Sequence, residues 1–205
     1  MEITRLRVGP MVTNCYVVKE GCAAMIIDPG YSAEKIEAAL KGACVKYIIL
    51  THAHFDHIYE SGFFRSKYGA KVVILDREEA SLSDPDMFLS TEGYDLRTYR
   101  ADMTVSDGDI FNFEGCEFRI IHTPGHTRGS MCLYCEKEKI LFSGDTLFKG
   151  SVGRMDFPGG SEESMRKSVE KLMTLPDDVT VHPGHGFSTT VGAERQFNPF
   201  IGRSI

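Results

Sequence analysis

Four short apolar runs in this chain each lead into histidine or aspartate, and that arrangement limits the possible folds more than any other feature. KYIIL (46–50) leads into Thr51-His52-Ala53-His54-Phe55-Asp56-His57. FRII (118–121) leads into His122-Thr123-Pro124-Gly125-His126, ILF (140–142) into Ser143-Gly144-Asp145, and VTV (179–181) into His182-Pro183-Gly184-His185. Short apolar runs bounded by turn signals read as buried strands. Strand ends converge in space, and the glycines beside His126, Asp145 and His185 permit close approach of backbones. A layered α/β fold gathers side chains from distant sequence in this way.

The remaining elements follow the same logic. CYVV and AAMIID, between Asn14 and Asp28, predict two neighbouring strands closed by a turn at Pro29-Gly30. Ser32 is placed to cap a helix carrying Ile36, Ala39 and Leu40. A strand at Lys46–Leu50, a helix at Ile58–Tyr68 and a strand at Lys71–Leu75 complete the first half. The second half predicts strands at Asp109–Phe113, Glu117–His122, Ser130–Cys135, Lys139–Ser143 and Val179–His182. A helix at Ser161–Leu175 carries an apolar stripe of Met165, Val169 and Leu172. The polar, aromatic-bearing stretch 83–102 has no clear period and is long for a connection, so it is expected to act as a lid.

Composition sets the outer limits. A chain of 205 residues, 42% hydrophobic and 25% charged, fits a single domain spanning 1–205 with a real core. A net charge of -6 with scattered lysines and arginines argues against nucleic acid as a partner. No apolar stretch approaches the roughly 20 residues that span a bilayer, and no secretory leader is visible, so no membrane association and a cytoplasmic address are expected. In that setting the six cysteines are expected to stay reduced. Cys132-Leu133-Tyr134-Cys135 forms a C-x-x-C, but it falls within a predicted strand, where residues three apart face opposite sides, so a redox pair is not expected. The nine methionines read as core filler.

The histidines carry the chemistry. His52 and His54 follow a strand at a spacing of two and project to one side in extended backbone. Asp56 and His57 fall where the chain turns into the next helix, which can aim them at a second point nearby. With His126, Asp145 and His185 they make seven candidate ligands. Imidazole and carboxylate suit zinc, iron or manganese. Seven ligands divide as three for each of two divalent ions, with one carboxylate shared between them. His122 and His182 lie inside their strands and are expected to serve in packing or in support of ligands.

These motifs (Thr51 to His57, Thr123-Pro124-Gly125-His126-Thr127, Ser143-Gly144-Asp145-Thr146 and Pro183-Gly184-His185-Gly186) resemble the metallo-β-lactamase superfamily over nearly the whole chain. Gly144 to Phe148, Gly150 to Arg154, Asp156 to Gly160 and the tail Thr189-Thr190-Val191-Gly192 through Asn198-Pro199-Phe200 resemble its single-domain glyoxalase II-like branch, the hydroxyacylglutathione hydrolase-like proteins. The resemblance implies an αββα sandwich of two mixed β-sheets flanked by helices. It assigns His52, His54 and His126 to one metal, Asp56, His57 and His185 to a second, and Asp145 to a bridge, with zinc the favoured ion and iron or manganese accepted. It further implies hydrolysis of a thioester such as S-lactoylglutathione by a metal-bridging hydroxide, with Asp56 also able to accept a proton.

Some features of the branch are altered. Two-domain glyoxalase II enzymes bind glutathione through a C-terminal helical domain, and Ile205 follows His185 by only twenty residues, so a separate domain of that kind is not expected. Arg154 aligns with a basic substrate-contacting position; Lys149 and Tyr94 are further candidates for a small-molecule thioester. The oligomeric state is not legible. Gly153-Arg154 with Asp156-Phe157 also resembles persulfide dioxygenases, which use one iron held by two histidines and an aspartate. A lactonase or a non-catalytic metal-binding domain is a further alternative. A β-lactamase is disfavoured because no cysteine ligand lies near Asp145, and a nuclease because no inserted domain is present.

Overall fold

The computed structural model describes residues 1–83 and 100–202. In chain order the elements are β1 (Glu2–Val8), β2 (Thr13–Glu20), β3 (Ala23–Ile27), α1 (Ala33–Leu40), β4 (Cys44–Ile49), α2 (Phe55–Ile58), α3 (Ser61–Tyr68), β5 (Lys71–Leu75), a 3-10 turn (Glu79–Ser83) and β6 (Met103–Val105). Then follow β7 (Ile110–Phe113), β8 (Cys116–His122), β9 (Met131–Cys135), β10 (Ile140–Gly144), β11 (Leu147–Phe148), β12 (Ser151–Val152), α4 (Glu162–Leu172), β13 (Thr180–Pro183), β14 (Thr189–Thr190) and α5 (Val191–Phe197). They form two compact units, Met1–Val105 and Ser106–Ile205.

The first unit is one mixed six-stranded sheet in the order β1-β2-β3-β4-β5-β6. Strands β1 to β3 are antiparallel neighbours, while β3 to β6 pair in parallel. Parallel strands covered on both faces lose the polar alternation of half-exposed ones, and β3 (AAMII) is buried at every position. Edge strand β1 keeps the alternation, as ITRLRV shows. Ile36 and Leu40 of α1 and Phe64 of α3 pack with Val17, Ile26, Ile48, Val72 and Ile74 in the core.

The second unit is another mixed six-stranded sheet, ordered β14-β13-β10-β9-β8-β7, with the β11–β12 hairpin beside it. Among the described residues its only parallel pair, β10 with β13, brings Gly144 opposite Pro183. That register sets the two strand ends bearing Asp145 and His185 side by side. Leu172 of α4 and Val191 of α5 bury against Ile121, Leu141 and Val181.

Two mixed sheets with helices are the fold class expected from the sequence, but some details differ. Ser32 precedes α1 with a left-handed φ of 63° and makes no side-chain cap. A capping hydroxyl needs extended backbone at its own residue to reach the N–H groups ahead of it. Ser161 has that geometry, and its side chain accepts from the Ser164 amide. The helix expected over 58–68 breaks into α2 and α3, because the Glu60 amide leaves the helix to bond the Pro29 carbonyl. Most of the stretch expected to form a lid, 84–99, lies outside the described residues. All six cysteines are free; Cys132 and Cys135 are buried in β9, and burial pushes the Cys132 thiol up to about 11. No helix among the described residues is long and apolar enough to cross a membrane. Replacing Ser161 with Ala is expected to cost about 1 kcal/mol in urea denaturation, whereas Ser32→Ala should stay within about 0.5 kcal/mol of the parent.

Candidate metal centre

In the first unit, four of the predicted ligands come from the segment that leaves β4 and enters α2. His52, His54, Asp56 and His57 are all buried. The His52 ring lies edge-on to His54 with centroids 4.8 Å apart, and 4.1 Å from the His57 ring. His57 Nε2 is 3.4 Å from Asp56 Oδ2, which also accepts a 2.7 Å hydrogen bond from the Thr13 hydroxyl.

Asp28, at the end of β3, decides how two of these rings present themselves. Its Oδ1 accepts from the Thr51 amide at 2.8 Å, and its Oδ2 accepts from the Thr51 hydroxyl at 2.7 Å and from His57 Nδ1 at 2.9 Å. An ionised carboxylate only accepts, so the hydrogen of His57 sits on Nδ1. The single hydroxyl hydrogen of Thr51 goes to Asp28, so its oxygen is left to accept from His52 Nδ1, 3.1 Å away. Both rings therefore keep a lone pair on Nε2, the form that binds a metal. Gly30 lets the turn after Asp28 press against the ligand segment, since a Cβ there would overlap the Asp56 carbonyl oxygen. Glu78, fully buried after β5, accepts from the Ala53 amide at 3.1 Å and holds the backbone between His52 and His54.

In the second unit, Asp145 Oδ2 lies 3.5 Å from His126 Nε2 and 3.5 Å from His185 Nε2. One carboxylate oxygen thus faces two imidazoles. His126 Nδ1 donates to the Arg154 carbonyl at 2.8 Å, which again leaves Nε2 for a metal. Gly153 makes this possible: a Cβ there would overlap the Asp145 carbonyl oxygen. A 2.8 Å bond between the Thr123 and Thr146 hydroxyls ties together the turns that carry His126 and Asp145.

The remaining predicted residues divide. Arg154 is exposed, paired through Nε and an Nη to both oxygens of Asp156 at 2.7 Å and stacked 3.7 Å over the Phe157 ring. The same contact pulls the Asp156 carboxyl down to about 2, so the pair stays charged at any ordinary pH. Lys149 is exposed at the tip of the β11–β12 hairpin. Tyr94 lies outside the described residues. His182 stacks on Phe142 at 5.3 Å, and a ring nitrogen of His122 bonds the Arg128 carbonyl at 2.9 Å.

From the sequence, Asp28 reads only as the end of a strand run, before the turn at Pro29-Gly30, and Glu78 is passed over. Asp28 carries the signal used for the ligands, an acid directly after a buried strand. Glu78 carries a weaker form of it, two residues past Asp76 at the end of β5. Asp28→Ala removes three hydrogen bonds around His52 and His57, and losing such ligand-orienting partners costs about 10–100-fold in metal affinity. Chelator competition on the purified protein measures this, and an unchanged affinity would show that Asp28 does not set the rings.

The profile of the metallo-beta-lactamase superfamily matches residues 8–185. The chain is 35% identical to the probable metallo-hydrolase YqgX of Bacillus subtilis, covering 98% of both. It is 31% identical to the hydroxyacylglutathione hydrolase GloC of Haemophilus influenzae, again covering 98% of both. Among solved structures, the B3 metallo-beta-lactamase BLEG-1 superposes with a TM-score of 0.92 at 35% identity, covering 98% of this chain and all of that one. TTHA1623 in a di-iron-bound form gives 0.86 at 33%, covering 97% and 100%. ETHE1 from Myxococcus xanthus gives 0.79 at 28%, covering 100% and 86%. The motifs, the two mixed sheets and a profile match that takes in every predicted ligand agree: this chain belongs to the metallo-β-lactamase superfamily.

Proposed function

We propose that the chain is a binuclear metal-dependent hydrolase acting on a thioester such as S-lactoylglutathione. One observation carries the reading furthest: His52, His57 and His126 each spend Nδ1 on a protein acceptor, so each offers Nε2 to a metal. Buried histidines that served packing alone would have no reason to share one tautomer. In this proposal His52, His54 and His126 hold one divalent ion, Asp56, His57 and His185 hold the other, and Asp145 spans both. Zinc is the favoured metal, and the di-iron form of TTHA1623 supports iron as an alternative.

Bound metals would lower the pKa of a water to about 7 and polarise the carbonyl under attack. The protein's part is to hold the ligands still. Asp28 and the Arg154 carbonyl fix three ring orientations, and Thr13 fixes Asp56 while leaving that carboxylate able to accept a proton. A thiolate leaving group needs little protonation, so hydrolysis of a thioester asks for no separate acid. The thioester itself is supported by the likeness to GloC over almost the full length of both chains. Arg154 and Lys149, both exposed, are the proposed contacts for the carboxylates of the thiol carrier, with Tyr94 as a third. The proposed setting is cytoplasmic, with no nucleic-acid or membrane partner.

A second reading has an observation of its own. The likeness to ETHE1, with Gly153-Arg154 and Asp156-Phe157, supports a mononuclear-iron persulfide dioxygenase. Three assays on one preparation of known metal content separate the possibilities: thiol release from S-lactoylglutathione, oxygen uptake with glutathione persulfide, and opening of a chromogenic β-lactam. Thiol release with two metals per chain is expected, abolished by a chelator and restored by zinc. Oxygen uptake with one iron per chain, or β-lactam opening alone, would overturn the proposal. Asp145→Ala should lose a metal and most of the turnover; retention of both would show that it does not bridge.

A further inference from the structure

Buried in the second unit is a carboxylate that none of the chemistry above uses. Glu194, on α5, is 3% exposed. Its Oε1 accepts from the Thr189 hydroxyl at 2.6 Å; its Oε2 accepts from the Gly150 amide at 2.8 Å and from the Asn198 side-chain amide at 2.8 Å. Asn198, also buried, donates from the same nitrogen to the Ser151 carbonyl at 3.0 Å. Gly150 of the β11–β12 turn and Ser151, the first residue of β12, are thereby tied to Glu194 of α5 and to Asn198 just after it.

The hairpin needs such a tie. Its strands pair at only two positions, Leu147 with Val152 and Phe148 with Ser151, and an isolated ribbon that short is not stable by itself. Yet the next residues demand accuracy. Gly153 lies hard against the Asp145 carbonyl, its amide pointing at the Thr146 carbonyl 3.4 Å away, and the Arg154 carbonyl then receives His126 Nδ1. A shift of the hairpin therefore becomes a shift of the acceptor that orients His126. Docking of α5 would not require an acid, because Val191 already buries its side chain completely and an apolar residue at 194 would avoid the cost of burying a charge. A carboxylate does what an apolar residue cannot: it gathers three donors at once.

We propose that Glu194 is a positioning residue for His126, acting through Gly150, Ser151 and the backbone of 153–154. The proposal rests on the reading of His126 as a metal ligand, but its first test needs no metal. Long-range proton–nitrogen NMR of the metal-free protein reports which ring nitrogen carries the hydrogen. In the parent His126 should be held in the Nδ1–H form. In Glu194→Ala it should become a mixture of tautomers, while His57, held by Asp28, stays unchanged. Zinc affinity of the same variant should fall about 10–100-fold, as for other losses of ligand-orienting contacts.

Glu194→Gln can turn its carbonyl oxygen to Gly150 and Asn198 and its amide to the Thr189 hydroxyl, so it should restore both readouts. If Glu194→Ala does not fold, Asn198→Ala, which cuts the Ser151 tie, should move the His126 tautomer in the same direction. An unchanged tautomer and unchanged zinc affinity in a folded Glu194→Ala or Asn198→Ala protein would overturn the proposal. A tautomer change in a protein that fails to hydrolyse thioesters would leave it standing and defeat only the substrate assignment.

Discussion

A buried carboxylate is tolerated only when donors surround it, and Asp28 meets that condition with the Thr51 amide, the Thr51 hydroxyl and His57 Nδ1. Much of the first unit's site depends on this one group. It decides where the hydrogen sits on His57, and through Thr51 it decides the same for His52. It also joins the end of β3 to Thr51, two residues past β4, so the parallel pairing of those strands and the orientation of the rings are one structural fact. The desolvation cost of the acid is met by bonds that at the same time make two imidazoles ready for a metal.

The second unit reaches the same end by other means. The acceptor that orients His126 is a backbone carbonyl, so its position depends on the path of the chain through Gly153 and Arg154. A carbonyl cannot be placed by choosing its own side chain; it has to be placed by everything that fixes the local backbone. That is why a two-residue hairpin, two threonine hydroxyls and a buried glutamate on a later helix enter the account of one histidine. The ligand-bearing turns are tied down by hydrogen bonds in both units, which suits a centre that must hold its geometry while charge changes at a substrate.

The strands carrying candidate ligands were legible because a buried strand announces itself as an apolar run, and the histidines and acids follow such runs directly. Ser161, at the start of the predicted helix 161–175, caps α4 from extended backbone, while Ser32, read as a cap from residue type, does not, because its own backbone is left-handed. Strand β14 and helix α5 are short, and Gly192 and the TTVG tail blur the helical period, so they emerged only with the β13–β14 pairing and the Thr190 cap. Asp28 was visible as a residue but not as a hub, because its three partners lie up to 29 positions away. Arg154 was picked out by alignment with a family position; the coordinates add that its guanidinium is clasped by Asp156 and stacked on Phe157.

By itself, then, the amino-acid sequence determined the superfamily, the two-sheet α/β architecture and the identity of the seven candidate ligands, because each of these is written in local order: apolar run, turn residue, histidine or aspartate. Only the tertiary structure decided which nitrogen of the His52, His57 and His126 rings is spent on the protein, which acids stand behind the ligands, and which helix steadies the hairpin. Most of these hydrogen bonds join residues distant in sequence, and the one between neighbours, Thr51 and His52, takes its direction from Asp28. A hydrogen-bond partner of that kind is chosen by distance and direction in the folded chain, and neither is encoded in residue type or spacing.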